Sequence, residues 1–217
     1  MIKKYELLYD NTNRVLKINT ELGDECIVEA GAMVSMTPNF KISSQTNGMK
    51  KALGRLFSGD SFFIQKYKAE GNGELLIAPA FLGDIEAVEM DGSQRYRLGK
   101  SSFLAAMGKV EMDIKSGGSK GFLSGEGLIQ KEAFGIGTLF ISAYGAIHEI
   151  NLNEGQQYIV DSDHLVLWDS NIHYTVELAN GFIGSITGGE GLVCKFTGPG
   201  KILIQTRNPQ NMMQKSK

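Results

Sequence analysis

Asp161, Asp163 and His164 crowd into the stretch VDSDHL, Val160 to Leu165. Two carboxylates and an imidazole so close together are the donor set of a divalent cation site, since hard cations take carboxylate oxygen and transition metals accept imidazole nitrogen. A second set of acids is dispersed. Asp60, Glu126 and Glu190 each hold the same place in a recurring element, SGDSFFIQ (Ser58 to Gln65), SGEGLIQK (Ser124 to Lys131) and GGEGLVCK (Gly188 to Lys195). Three such carboxylates related by an axis would bind a cation or raise one another's pKa. The structural alternative for both sets is a turn, where a carboxylate accepts hydrogen bonds from nearby backbone N–H groups. His148 and His173 stand singly on alternating stretches. Cys26 and Cys194 form no CxxC pair and have no neighbouring His, and no Gly-x-Ser-x-Gly elbow occurs, so no catalytic residue is assigned.

Glycine pairs suggest phosphate chemistry next. Gly-x-Gly followed by an apolar run appears in EGNGELLIAP (Glu70 to Pro79), FGIGTLFISA (Phe134 to Ala143) and TGPGKILIQT (Thr197 to Thr206). A dinucleotide fingerprint needs a further glycine three places on, where Leu76, Phe140 and Leu203 stand, and a helix after it. A P-loop fails as well, because no Ser or Thr follows Lys201. The pairs are expected to form hairpin turns or bulges, and no cofactor is expected.

The elements that carry these motifs repeat. Gly73, Gly137 and Gly200 are spaced 64 and 63 residues apart. A shift of 62 superposes Ile85, Met90, Tyr96 and Phe103 on Ile147, Leu152, Tyr158 and Leu165, and a shift of 132 relates Gly155, Val160 and Leu165 to Gly23, Val28 and Met33. Three modules are therefore read, over 1–78, 79–142 and 143–208, together one compact unit, with a polar tail over 209–217. Alternation in NIHYTVEL puts Ile172, Tyr174, Val176 and Leu178 on one face. Turn signals between such runs give about six short strands per module. The fold expected is all-β: three repeated β-sandwich, double-stranded β-helix-like modules about a pseudo-threefold axis.

Composition narrows the functional classes. A net charge of -2 with no basic run makes nucleic acid an unlikely partner. No apolar run approaches the roughly 18 residues of a membrane-spanning helix. MIKKYELLYDN lacks the apolar core of a signal peptide, and cytoplasmic localisation is the expectation.

The stretches VEAGAMVSMT, GMKKALGRLFSGDSFF, GSKGFLSGEGL, SAYGAI and GGEGLVCKFTGPGKILIQTRN resemble a bacterial family of uncharacterised proteins related to the fungal altered-inheritance-of-mitochondria, or mitochondrial biogenesis, proteins. The resemblance covers nearly the whole chain. It implies three structural repeats, each similar to a subunit of the tryptophan RNA-binding attenuation protein, and it carries over no catalytic residue. Shared fold does not transfer the RNA-binding function.

What remains is a set of apolar, glycine-rich loops. Met49, Leu53, Leu56 and Phe57 follow helical spacing beside Lys50, Lys51 and Arg55, and the corresponding loops carry Phe122 and Leu123, then Phe182 and Ile183. These eight apolar residues are the candidate interaction surface. The reading is a non-enzymatic binding or assembly module whose partner is a second copy or another protein, with peripheral contact to an anionic membrane as a further option. An enzyme or small-ligand binder with a site in a cleft between modules is the alternative.

Overall fold

The computed structural model describes residues 4–10, 13–45, 63–115, 130–178 and 192–208. Among these there is no α-helix, only sixteen strands and a 3-10 turn at Ser162–His164. Seven short strands come first: Tyr5–Leu8 (β1), Val15–Thr20 (β2), Glu25–Glu29 (β3), Met33–Met36 (β4), Phe40–Gln45 (β5), Ile64–Ala69 (β6) and Gly73–Ile77 (β7). Three long strands follow, Gly83–Leu98 (β8), Phe103–Lys115 (β9) and Gln130–Tyr144 (β10). Ile147–Leu152 (β11), Gln157–Asp161 (β12), Leu165–Asp169 (β13), His173–Leu178 (β14), Leu192–Thr197 (β15) and Gly200–Gln205 (β16) complete the order.

These strands form open, twisted sheets of four (β1-β2-β7-β4), nine (β11-β16-β13-β8-β10-β9-β3-β6-β5) and three (β12-β15-β14) strands. The order β2-β7-β4 recurs as β11-β16-β13, and β3-β6-β5 recurs as β12-β15-β14. Among the described residues the middle of the chain has three long strands where about six short ones are expected. Two antiparallel seams join the groups. Cys26, Ile27 and Val28 of β3 face Met107, Ala106 and Ala105 of β9, and Tyr96, Arg97 and Leu98 of β8 face Asp169, Trp168 and Leu167 of β13. Each of β4, β9 and β13 slips by a residue against its partner, at Val34, Leu104 and Val166. Such a bulge bends a strand and re-aims its side chains.

Alternation explains which faces are buried. In β2, Leu16, Ile18 and Thr20 point inward while their neighbours are half-exposed, as a strand with one buried face requires. Three apolar clusters result. The first joins Leu16, Ile18, Val28, Tyr67, Leu75 and Ile77 to Ile85, Leu104, Ala105 and Phe140 from the long strands. The second lies under β8 to β10 and includes Val166, Leu167 and Leu203. The third, around Trp168, Ile172, Cys194 and Phe196, draws among the described residues only on β11 to β16 and their turns.

The glycine pairs do not close hairpins. β6 and β7 lie in different sheets, as do β15 and β16, so Gly71 to Gly73 and Gly198 to Gly200 are corners where the chain crosses between sheets. The middle pair sits inside β10, where the ladder slips between Phe134 and Ile136 and Gly135 has φ +110. Close backbone approach demands glycine there: a Cβ on Gly137 would stand 2.1 Å from the Met107 carbonyl oxygen.

Candidate functional site

A cavity of about 320 Å³ opens where successive corners of the chain meet: Glu29 to Ala32 after β3, Lys100 and Ser101 after β8, and Gln205 at the end of β16. Pro79 to Phe81 and Ser142 to Tyr144 complete its wall. The corners are tightly wound. Ala32 N–H donates to the Glu29 carbonyl at 3.1 Å, the Ser102 hydroxyl donates to the Gly99 carbonyl at 3.0 Å, and Ser101 takes φ +56. Left-handed backbone in a non-glycine residue is uncommon, and here the surrounding ladder holds it.

Gln205 organises one side of this cavity. Its buried amide oxygen accepts from Tyr144 N–H at 2.9 Å, its amide nitrogen donates to the Asp163 carbonyl at 2.7 Å, and its own carbonyl lies 2.6 Å from His164 Nδ1. His164 Nδ1 is thereby the protonated ring nitrogen, because a carbonyl can only accept. Asp161 caps the same 3-10 turn, accepting from Asp163 N–H at 2.9 Å. So VDSDHL forms a clamped turn beside the cavity. Among the described residues no three His, Cys, Asp or Glu side chains converge to hold a metal ion. The sequence reading missed Gln205, whose only signal was a lone amide ending the apolar run KILIQ.

A more open cavity of about 560 Å³ lies between the start of the chain and the middle of β9 and β10. Glu89 accepts there from the Tyr5 hydroxyl at 3.1 Å and from Thr138 Oγ1 at 3.0 Å. Burial, and then the bond to and charge of Glu89, push the Tyr5 phenol up. Lys4 and Asp24 pair across the rim at 3.0 Å. Cys26 lines the same cavity, but burial, with the Asp24 charge adding, pushes its thiol up to about 12. Burial and then Asp161 do the same to Cys194, also to about 12. Both thiols are protonated at neutral pH and neither is an activated nucleophile.

A third polar cluster was not singled out from the sequence. Glu132, buried on β10, pairs with Arg97 at 3.2 Å and Arg95 at 3.8 Å, while the Arg95 guanidinium lies 4.3 Å from the Phe134 ring centroid and that of Arg97 lies 5.3 Å from the Tyr174 ring centroid. The alternation QRYRL, which puts both arginines on one strand face, was its signal. The candidate interaction residues Met49, Leu53, Leu56, Phe57, Phe122, Leu123, Phe182 and Ile183, and the acids Asp60, Glu126 and Glu190, lie outside the described residues. Among the described residues no helix is long and apolar enough to cross a membrane.

Comparison with known proteins follows the same span. The family model for mitochondrial biogenesis AIM24 matches residues 5–207. An uncharacterised protein of Streptococcus pyogenes serotype M6 is 35% identical over 204 residues, covering 89% of this chain and 82% of its own. A crystal structure of a Streptococcus pyogenes protein matches with a TM-score of 0.80 at 31% identity, over 97% of this chain and 96% of its own.

Proposed function

We propose that this chain, which belongs to the mitochondrial biogenesis AIM24 family, is a non-enzymatic binding or assembly module built from three repeated β-sandwich modules. Its finer architecture on this reading is the double-stranded β-helix-like arrangement of the attenuation-protein superfamily. The recurring strand orders and the bulges at Val34, Leu104 and Val166, related by the sequence offsets, support the repeat.

One observation carries the functional reading. Each apolar glycine-rich segment is strung between the paired ends of corresponding strands: Gln45 opposite Ile64, Lys115 opposite Gln130, and Leu178 opposite Leu192. On the proposed repeat these three segments leave and rejoin the described strands at equivalent places, and a set of apolar segments of that kind would suit a partner surface. Self-association is the favoured use, ahead of another protein or an anionic membrane surface, in a cytoplasmic setting. The test is Leu53→Asp with Phe57→Asp, followed by mass in solution and co-sedimentation with phosphatidylserine vesicles. Loss of association or of sedimentation with an unchanged melting curve supports the reading. A variant that no longer folds assigns these residues to the core and refutes it.

The cavity beside Gln205 favours a second reading, a small-ligand binder or enzyme, because about 320 Å³ falls within the roughly 300–1,000 Å³ of ligand pockets. Native mass spectrometry of protein purified from cells decides between them. A reproducible bound mass, lost on filling the cavity with Ala80→Trp, would favour that reading.

A further inference from the structure

We infer that the two ends of the strand array are complementary, so that β12 of one copy pairs antiparallel with β4 of a second copy. The register places Tyr158 opposite Thr37, Ile159 opposite Met36 and Val160 opposite Ser35. The inference rests on the proposed repeat and names a partner and a surface separate from the glycine-rich segments.

The chain makes this seam twice within itself. β3 joins β9, and the C-terminal part of β8 joins β13, through three residues on each side. The offsets that align the repeats carry Cys26, Ile27 and Val28 onto Tyr96, Arg97 and Leu98, and then onto Tyr158, Ile159 and Val160. They carry the receiving residues Ala105, Ala106 and Met107 onto Leu167, Trp168 and Asp169, and back onto Ser35, Met36 and Thr37. The third pairing is not made. Among the described residues β12 bonds only to β15, and β4 only to β7.

Exposure follows the open seam. Cys26 and Tyr96 are each 4% exposed, whereas Tyr158 is 44% exposed and Ile159 beside it 46%. On the receiving side the bulge residues Leu104 and Val166 are 0% and 1% exposed, whereas Val34 is 59% exposed. Packing gives the reason. Leu104, with Ala105, Ile85 and Phe140, completes the first cluster from the next group of strands. Val166, with Leu167 and Leu203, completes the second. Among the described residues the third cluster has no contributor beyond β11 to β16 and their turns. Val34 is the residue shaped by position to complete it, and in one chain it faces outward.

Association of this kind is head-to-tail. It buries different surfaces on the two copies and closes into a ring or extends as a filament, according to the rotation per copy. The full chain is examined by sedimentation velocity over a range of concentrations, and Ile159→Lys and Val34→Lys are compared with it. The expected result is mass above the 23.7 kDa of one chain that rises with concentration, and loss of that rise in either variant with an unchanged circular-dichroism melt. A Met36→Cys chain mixed with an Ile159→Cys chain should give a covalent dimer with a short bis-thiol linker. The buried native thiols do not compete, and Met36→Cys mixed with Ile42→Cys should give none. A single-chain mass at every concentration overturns the inference. So does a Met36→Cys, Ile159→Cys double variant that links only within one chain. Association that survives both lysine variants but disappears on Leu53→Asp with Phe57→Asp also overturns it, and leaves the segment-based assembly reading standing.

Discussion

Phe140→Ala tests whether the groups of strands stand as one body. Phe140 belongs to β10, yet its fully buried ring sits in the first apolar cluster among residues of β2, β3, β6 and β7. It meets the Tyr5 ring edge-to-face, with centroids 4.9 Å apart and planes at 78°, and so holds β1 against the long strands. Truncating a buried Phe to Ala costs about 3–5 kcal/mol, from lost burial and the cavity left behind. In chains of about 150–250 residues each kcal/mol lowers Tm by about 2–4 °C, so the melt should fall by roughly 6–20 °C. The whole transition should move as one, because the ring lies at a seam and not inside a separable unit. Ile136→Val, exposed on the same strand, serves as the control and should stay within about 0.5 kcal/mol. A double-mutant cycle of Tyr5→Leu with Phe140→Leu should return a coupling of about 0.5–1.5 kcal/mol for the ring pair. Scanning calorimetry is the assay. A Phe140→Ala melt within 2 °C of the parent, or one that splits into separate transitions, would refute the reasoning.

Glu86→Gln is expected to raise Tm at pH 7. Burial pushes the Glu86 carboxyl up from its ordinary 4.5, with Lys201 opposing the rise and Glu149 and Asp84 reinforcing it. A raised folded pKa means the folded state holds its proton more tightly, so the ionised group opposes folding above that pKa and the opposition fades as pH falls toward 4.5. Melts of the two proteins should therefore converge below about pH 4.5, and a gain that persists in acid would contradict the assignment. Cys26 and Cys194, buried with thiols near 12, should be silent to Ellman's reagent in the native chain and react fully in guanidinium. Prompt native reaction of either would show that its cluster opens.

The all-β class was legible because period-two alternation survives wherever one face is buried, as in His173, Tyr174, Thr175 and Val176, which run exposed, half-buried, exposed, half-buried. The middle strands were misread for a physical reason. DGSQ carries turn chemistry, and the turn bonds do form: Asp91 accepts from Ser93 N–H at 2.8 Å and from its hydroxyl at 2.6 Å, and Gly92 has φ +92. Yet β10 pairs on both sides of this point, Ile136 with Asp91 and Phe134 with Arg95, so the intended turn becomes an irregularity within β8. Local sequence cannot report that a distant strand will bridge it. The same limit hid Gln205, whose partners Tyr144 and Asp163 are brought to it only by the sheet.

Edge strands give the open seam its meaning. Among the described residues the three sheets end in six strands, β1, β4, β5, β11, β12 and β14. An unpaired edge invites association, and charged side chains are the common guard against it. Glu6 stands within β1, Lys41 within β5, Glu149 within β11 and Glu177 within β14. β4 reads MVSM, with no charge at all. β12 reads QYIVD, and its one carboxylate, Asp161, is turned onto the N–H of Asp163. The two edges without a guard are the two that the proposed repeat would make complementary. In a monomeric design both would be liabilities, and a single lysine at Val34 or Ile159 would remove either. Among the described residues, four edges with a charge and this matched pair without a guard are the pattern that the proposed copy-to-copy seam requires.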